Sequence, residues 1–92
     1  MSEVRRTITI VNQRGLHARA SAKFVGAVAA LPAGVDVKVA KDGNEAAGGS
    51  ILGLMMLGAA KGDTIDLIVT GENSDAVLHE LGALVEDGFG EE

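Results

Sequence analysis

Hydrophobic residues along the chain follow two different periods, one typical of strands and one typical of helices. Apolar side chains occupy alternate positions in Val4 to Val11, Val35 to Val39 and Thr64 to Thr70, which predicts three strands with one buried face each. Asp42-Gly43 indicates a hairpin, and a weakly patterned partner strand is expected over Asn44 to Gly48. The strands are therefore expected to pair in antiparallel order.

Two other segments carry apolar residues at helical spacing. From Ala18 to Leu31 these residues lie on one stripe, and Pro32-Ala33-Gly34 ends the pattern. Ser50, a favoured N-cap residue, precedes the almost wholly apolar run Ile51 to Leu57. A helix of two turns that rests on a sheet buries only one side, so some of this run should stay exposed.

A third helix is expected to begin near Ser74 or Asp75 and to fray near Gly88 to Glu92. The predicted order is βαββαβα, with residues 1–92 forming a single domain. In this α/β (α+β) class, a four-stranded antiparallel sheet is covered on one face by three helices. The chain is thus predicted to be an open-faced sandwich.

Composition and charge narrow the classes of function. The chain has 47% hydrophobic residues but two phenylalanines and no tryptophan or tyrosine, so its core must be aliphatic. A net charge of −5 argues against binding to nucleic acid, which needs clustered cations. No segment approaches the ~20 apolar residues that cross a bilayer, and no leader pattern or cysteine is present. We expect a cytoplasmic protein without membrane insertion.

The junction between the first strand and the first helix holds the most reactive side chain. His17 directly precedes the helical pattern, so its imidazole should lie at a helix N-terminus. The first amides of a helix lack intrahelical partners, and the positive end of the dipole favours anions. Arg19 offers charged donors in the same turn. This arrangement indicates a nucleophile that handles phosphoryl groups.

Two motifs carry a resemblance to a known family. Gly15-Leu16-His17-Ala18-Arg19 and Gly49-Ser50-Ile51-Leu52-Gly53-Leu54-Met55 resemble HPr, the histidine-containing phosphocarrier of the bacterial phosphotransferase system. Their spacing, the turn Gly58 to Asp63 and the final helix also fall where that family has them. One departure is Ala20, which stands where the family usually has proline.

The resemblance implies a phosphoryl carrier with no independent turnover and no cofactor. Enzyme I would phosphorylate Nδ1 of His17, the amides of Ala18 and Arg19 would hold the phosphoryl group, and an EIIA-type protein would accept it. Docking of enzyme I is expected to involve Ile51, Leu52 and Met55, together with Leu16. A carrier that presents one face to successive partners is most simply a monomer.

The resemblance also implies regulation at Ser50, which a serine kinase/phosphorylase modifies in some members of the family. Phosphate there would place about −1.5 to −2 charges beside the apolar docking surface. The other histidine, His79, is expected to be exposed and without function. Two distant histidines without suitable partners predict no metal site.

Three alternatives remain open from the sequence. The first is a nitrogen-type regulatory phosphocarrier that does not serve sugar uptake, which Ala20 slightly favours. The second is a noncatalytic regulatory module that binds partners through the apolar helix 51–57. The third, a small-molecule-binding domain, would need a polar pocket that the sequence does not indicate.

Overall fold

A computed structural model describes residues 3–91 of the chain. The elements are β1 (Glu3–Thr9), α1 (Ala18–Ala29), β2 (Asp36–Lys41), β3 (Asn44–Ala47), α2 (Ile51–Met56), β4 (Thr64–Thr70), α3 (Ser74–Glu86) and a final 3-10 turn (Gly88–Gly90). Met1, Ser2 and Glu92 lie outside the described residues. The predicted element order is confirmed.

All pairings in the sheet are antiparallel, and the strand order is β1-β4-β2-β3. β4 is central because it pairs with β1 on one side and with β2 on the other. The register places Ile8 opposite Ile65 and Val39 opposite Leu67, so the alternating apolar positions meet on one face. Helices α1, α2 and α3 cover that face, which confirms the open-faced sandwich.

The core lies between the sheet and the helices and is almost entirely aliphatic. Its large side chains with less than 2% exposure include Ile10, Phe24, Leu54, Leu67 and Leu81. Ile68 points to the opposite face of β4, as its alternation predicts, yet it is also buried. Its register partners on either side are Arg5 and Lys38, whose long aliphatic stems flank it.

Two element boundaries differ from the sequence prediction. β1 ends at Thr9 rather than at Val11, because the next residue leaves the ladder and bonds to the turn before β4. In that contact the amide of Ile10 donates to the carbonyl of Asp63, and the amide of Gly62 donates to the carbonyl of Ile10. α1 ends at Ala29, two residues earlier than the apolar stripe suggests.

The C-terminal segment is ordered against the core, so the expected fraying near 88–92 is wrong for residues 88–91. Phe89 is 1% exposed and has a left-handed backbone (φ 60°), flanked by Gly88 and Gly90 with φ 67° and 75°. This left-handed turn reverses the chain after α3 and directs Glu91 toward the start of α1. Burial of the aromatic ring offsets the conformational strain of the turn.

Gly15 joins the loop before α1 to the segment that follows α2. Its φ is +61°, and a Cβ at this position would overlap the carbonyl oxygen of Ala59. The amide of Leu16 donates to that same oxygen at 3.0 Å. Close approach of two backbones therefore requires glycine here.

We predict that Gly15→Ala destabilises the chain more than Gly58→Ala does. Gly58 has a similar φ of +68° but open space around it, so its alanine variant suffers only the left-handed strain of about 1–2 kcal/mol. Overpacking against Ala59 should add about 1–3 kcal/mol in the Gly15 variant. Urea unfolding of both variants measures the difference, and equal midpoints would contradict the close approach.

Candidate functional site

His17 is the N-cap residue of α1. Its backbone is extended (φ −78°, ψ −178°), and its carbonyl accepts the first intrahelical hydrogen bond from the amide of Ser21 at 2.9 Å. The side chain turns back over the helix, and Nδ1 accepts from the amide of Arg19 at 3.3 Å. An imidazole nitrogen thus occupies the place of the usual capping oxygen, at the positive end of the helix.

The groups expected to hold a phosphoryl group lie in the same helical turn as this nitrogen. Ala18 and Arg19 are the first two residues of α1, and their amides belong to the set that has no intrahelical partner. The side chain of Arg19 is exposed in the same turn. An anion bonded to Nδ1 would therefore meet backbone donors and have a guanidinium within the same turn.

The other ring nitrogen contacts the C-terminal segment. Nε2 of His17 lies 2.7 Å from Oε2 of Glu91, and the two side chains are 17% and 20% exposed. Buried Asn12 supports this carboxylate: its Nδ2 donates to Oε1 of Glu91 at 3.2 Å and to the carbonyl of Gly15 at 2.8 Å. The imidazole is consequently held at both nitrogens.

A lysine from α1 anchors the same segment. Nζ of Lys23 donates to the carbonyl of Phe89 at 2.7 Å. Partial burial of the Glu91 carboxyl raises its pKa, but hydrogen bonds from His17 and Asn12, together with electrostatic attraction from neighbouring groups that include Lys23, outweigh that effect. The pKa of Glu91 therefore lies below its ordinary value of 4.5.

Beside this site, α2 presents an apolar surface. Ile51, Leu52 and Met55 are 41%, 68% and 40% exposed, and Met56, at 77%, extends the same helical face. We call these four residues the α2 surface. Leu16 does not belong to it, which corrects the sequence expectation, because its side chain is 5% exposed and packs within the core. α2 packs directly against α1, the helix that His17 caps.

Ser50 caps α2 as its sequence position predicts. Its Oγ accepts from the amide of Gly53 at 2.9 Å, and its backbone is extended. Ser50 is partly exposed and directly precedes Ile51 of the α2 surface.

Other candidate sites receive no support from the geometry. His79 is exposed on α3. Within residues 3–91, no group of three or more His, Cys, Asp or Glu side chains is arranged to hold a metal ion. None of the helices in that part of the chain is long and apolar enough to span a membrane.

The family model described as "PTS HPr component phosphorylation site" matches residues 4–87. The chain is also 42% identical over 85 residues to the phosphocarrier protein HPr of Pseudomonas aeruginosa, covering 91% of this chain and 92% of that protein. The chain belongs to the HPr family of the phosphotransferase system. It is accordingly a phosphocarrier rather than a catalytic enzyme.

Similarity extends to a second named branch and to solved structures of the HPr family. The phosphocarrier protein NPr of Shewanella violacea is 37% identical over 91 residues, 99% of this chain and 98% of that protein. An HPr crystal structure from Thermoanaerobacter tengcongensis superposes with a TM-score of 0.86 at 37% identity, covering 100% of this chain and 99% of that one. The open-faced fold is therefore that of HPr.

Sequence reasoning missed the residues behind the imidazole, namely Asn12, Lys23, Phe89 and Glu91, and also Met56 on α2. Met56 had a usable signal, because residues 51, 52, 55 and 56 repeat at the spacing of one helical face. Phe89 had a weaker one, since it is one of two aromatic residues in the chain and aromatic residues are usually buried.

We predict that the pKa of the Glu91 carboxyl lies below 4.5 in the folded chain. The ionised carboxylate then stabilises the fold above pH 4.5. This stabilisation is lost as the pH falls through the lower pKa that Glu91 has in the folded chain. An NMR titration of the side-chain carboxyl carbon measures the midpoint. His17→Ala removes one hydrogen bond to the carboxylate, so it should raise the midpoint. A wild-type midpoint at or above 4.5 would contradict the contact.

Removal of the α2 cap provides a separate prediction. Ser50→Ala should lower the free energy of unfolding by about 1 kcal/mol, because the amide of Gly53 loses its acceptor. Ser50→Asn, which retains a capping oxygen, should stay close to wild type in the same chemical denaturation experiment. Equal losses in both variants would show that the hydroxyl does not act as a cap.

Proposed function

We propose that Nδ1 of His17 accepts a phosphoryl group from a phosphohistidine of enzyme I and passes it to an EIIA-type protein. The observation that carries this proposal is the 3.3 Å contact between Nδ1 and the amide of Arg19 at the start of α1. It places a nitrogen lone pair beside donors that suit the phosphoryl product. Ala18 and Arg19 supply the backbone donors, and the guanidinium of Arg19 supplies positive charge.

The strength of this hold suits a carrier. An exposed helix terminus contributes about 0.3–1 kcal/mol and a charge-assisted hydrogen bond about 1.5–3 kcal/mol. Such a site stabilises phosphohistidine without making onward transfer strongly uphill. The side chain of His17 is 17% exposed, so the acceptor nitrogen stays close to the surface at which a partner would dock.

We propose the α2 surface as the docking site for enzyme I and for the EIIA-type acceptor. Four of the six residues of α2 expose apolar side chains, and such a contiguous apolar patch is typical of a surface that binds another protein. The two methionines add flexible thioethers that adapt to partners of different shape. Because α2 packs on α1, one docked partner would cover this surface beside the imidazole.

Ser50 is the proposed target of a regulatory kinase/phosphorylase. Its hydroxyl lies at the end of the α2 surface, where added negative charge would oppose burial of the neighbouring Ile51 and Leu52. The amide of Gly53 already points at the Ser50 oxygen, so phosphate would meet a donor there. Local structure would persist while docking weakens.

The relatives support a phosphocarrier in either of two branches, since proteins named HPr and NPr are 42% and 37% identical to this chain. Phosphoryl transfer through His17 is the function common to both. We further propose a single domain over residues 1–92 that acts in the cytoplasm as a monomer and uses no cofactor. Loss of phosphorylation with intact partner binding would instead favour a noncatalytic binding module.

Intact-mass spectrometry tests the acceptor role. After incubation with phosphoenolpyruvate and enzyme I, wild type should gain one acid-labile phosphoryl group, and His17→Ala should gain none. His79→Ala is the matched control, because it removes an exposed histidine from α3 and should be phosphorylated like wild type. A wild-type chain that stays unmodified, or a phosphorylated His17→Ala variant, would refute the proposal.

A charged substitution on α2 tests whether enzyme I docks on the α2 surface. Leu52→Glu should raise the KM of enzyme I for this chain at least about tenfold, because a carboxylate would have to lose water in an apolar contact. Ala76→Glu adds the same charge to an exposed position on α3 and should leave KM unchanged. Equal KM values for the two variants would place docking elsewhere.

A further inference from the structure

We propose that Glu91 is a positioning residue for phosphoryl transfer, which holds the proton of His17 on Nε2 and thereby leaves Nδ1 as the nucleophile. This inference rests on the proposed function of His17 as the phosphoryl acceptor. Its basis is the 2.7 Å contact between Nε2 of His17 and Oε2 of Glu91. Glu91 lies 74 residues after His17 in the sequence, so the fold brings the two side chains together.

The two ring contacts together select one tautomer. The amide of Arg19 donates to Nδ1, and the carboxylate of Glu91 faces Nε2. With the proton on Nε2, both contacts are hydrogen bonds. The opposite tautomer would set an N–H against the amide of Arg19 and a lone pair against a carboxylate. The lowered pKa of Glu91 keeps its charge in place at neutral pH.

The surrounding structure holds the carboxylate in position. Phe89 is buried two residues earlier, and its carbonyl is held by Nζ of Lys23 at 2.7 Å. Asn12 is 5% exposed and donates to Oε1 of Glu91. Reversing its amide would set the Asn12 oxygen against the oxygens of Gly15 and Glu91, so the donor orientation is fixed by both acceptors. The orientation of the carboxylate therefore has support from both sides.

The chemistry of transfer shows what this carboxylate does. The lone pair of Nδ1 attacks the phosphorus of a phosphohistidine whose donor ring is protonated on its other nitrogen. A P–N bond forms to His17 while the donor P–N bond breaks, and its electron pair returns to the donor nitrogen, which leaves that ring neutral. The His17 ring becomes positive, and its proton stays on Nε2. Glu91 offsets that developing charge.

The same carboxylate assists onward transfer. A phosphorylated ring that keeps its Nε2 proton leaves as a neutral imidazole when the next acceptor takes the phosphoryl group. Glu91 is also an anion on the far side of the ring from the phosphoryl oxygens, so repulsion between like charges limits the stability of the intermediate. Both effects keep the phosphoryl group transferable.

Rapid-quench kinetics of phosphorylation by enzyme I would compare wild type with Glu91→Ala, Glu91→Gln and Glu80→Ala. Glu91→Ala should lower kcat at least about tenfold because it removes a charge-assisted hydrogen bond, and it should leave KM unchanged because the α2 surface is intact. Glu91→Gln keeps an acceptor oxygen but no charge, so its kcat should also fall. Glu80→Ala is the matched control, because it removes an exposed carboxylate from α3 and should keep the wild-type kcat.

Nitrogen NMR of the His17 imidazole provides a readout independent of turnover. Wild type and Glu80→Ala should show an Nε2-bound proton that exchanges slowly with water, and Glu91→Ala should lose it. A Glu91→Ala variant with wild-type kcat would overturn the proposal while leaving His17 as the acceptor. So would a Glu80→Ala variant as slow as Glu91→Ala, since that would show that the contact with the imidazole is not what sets the rate. Failure of wild type itself to be phosphorylated would refute the proposed function instead.

Discussion

The hydrogen bond from the amide of Arg19 to Nδ1 of His17 is the interaction on which the arrangement of the site depends. It exists because a histidine, rather than a serine or aspartate, occupies the N-cap of α1. The same geometry gives the imidazole its orientation and provides donors for an anion bonded to it. Gly15 makes this geometry possible, because its backbone packs against Ala59 just before the helix begins.

The site would bind the phosphoryl group weakly but fixes the orientation of the imidazole firmly. Exposed helix amides and a single arginine provide modest stabilisation of a phosphoryl group. The ring itself is held from two directions, by the start of α1 and by Glu91 from the C-terminal segment. This division suits a phosphocarrier, because the nucleophile is oriented before each encounter while the product remains easy to release.

Much of the fold follows from local pattern, and the parts that do not have physical reasons. The alternation in residues 64–70 defines β4, and Ser50 marks the start of α2, as the structure confirms. Leu16 and Glu91 were misjudged because their places depend on tertiary packing: Leu16 turns into the core, and Glu91 follows a left-handed Phe89 that no periodicity announces. Two glycines and three acidic residues near the C-terminus gave a polar, flexible pattern, whereas one buried ring orders the segment.

The most direct test of this account is the phosphorus–nitrogen coupling in the phosphorylated chain with a nitrogen-labelled imidazole. The phosphorylated chain should show a one-bond coupling on Nδ1 of His17, accompanied by a proton on Nε2 and shifted amide resonances for Ala18 and Arg19. A coupling on Nε2 would contradict it, because that nitrogen faces Glu91 in the structure and the helix amides would then lie on the wrong side of the ring.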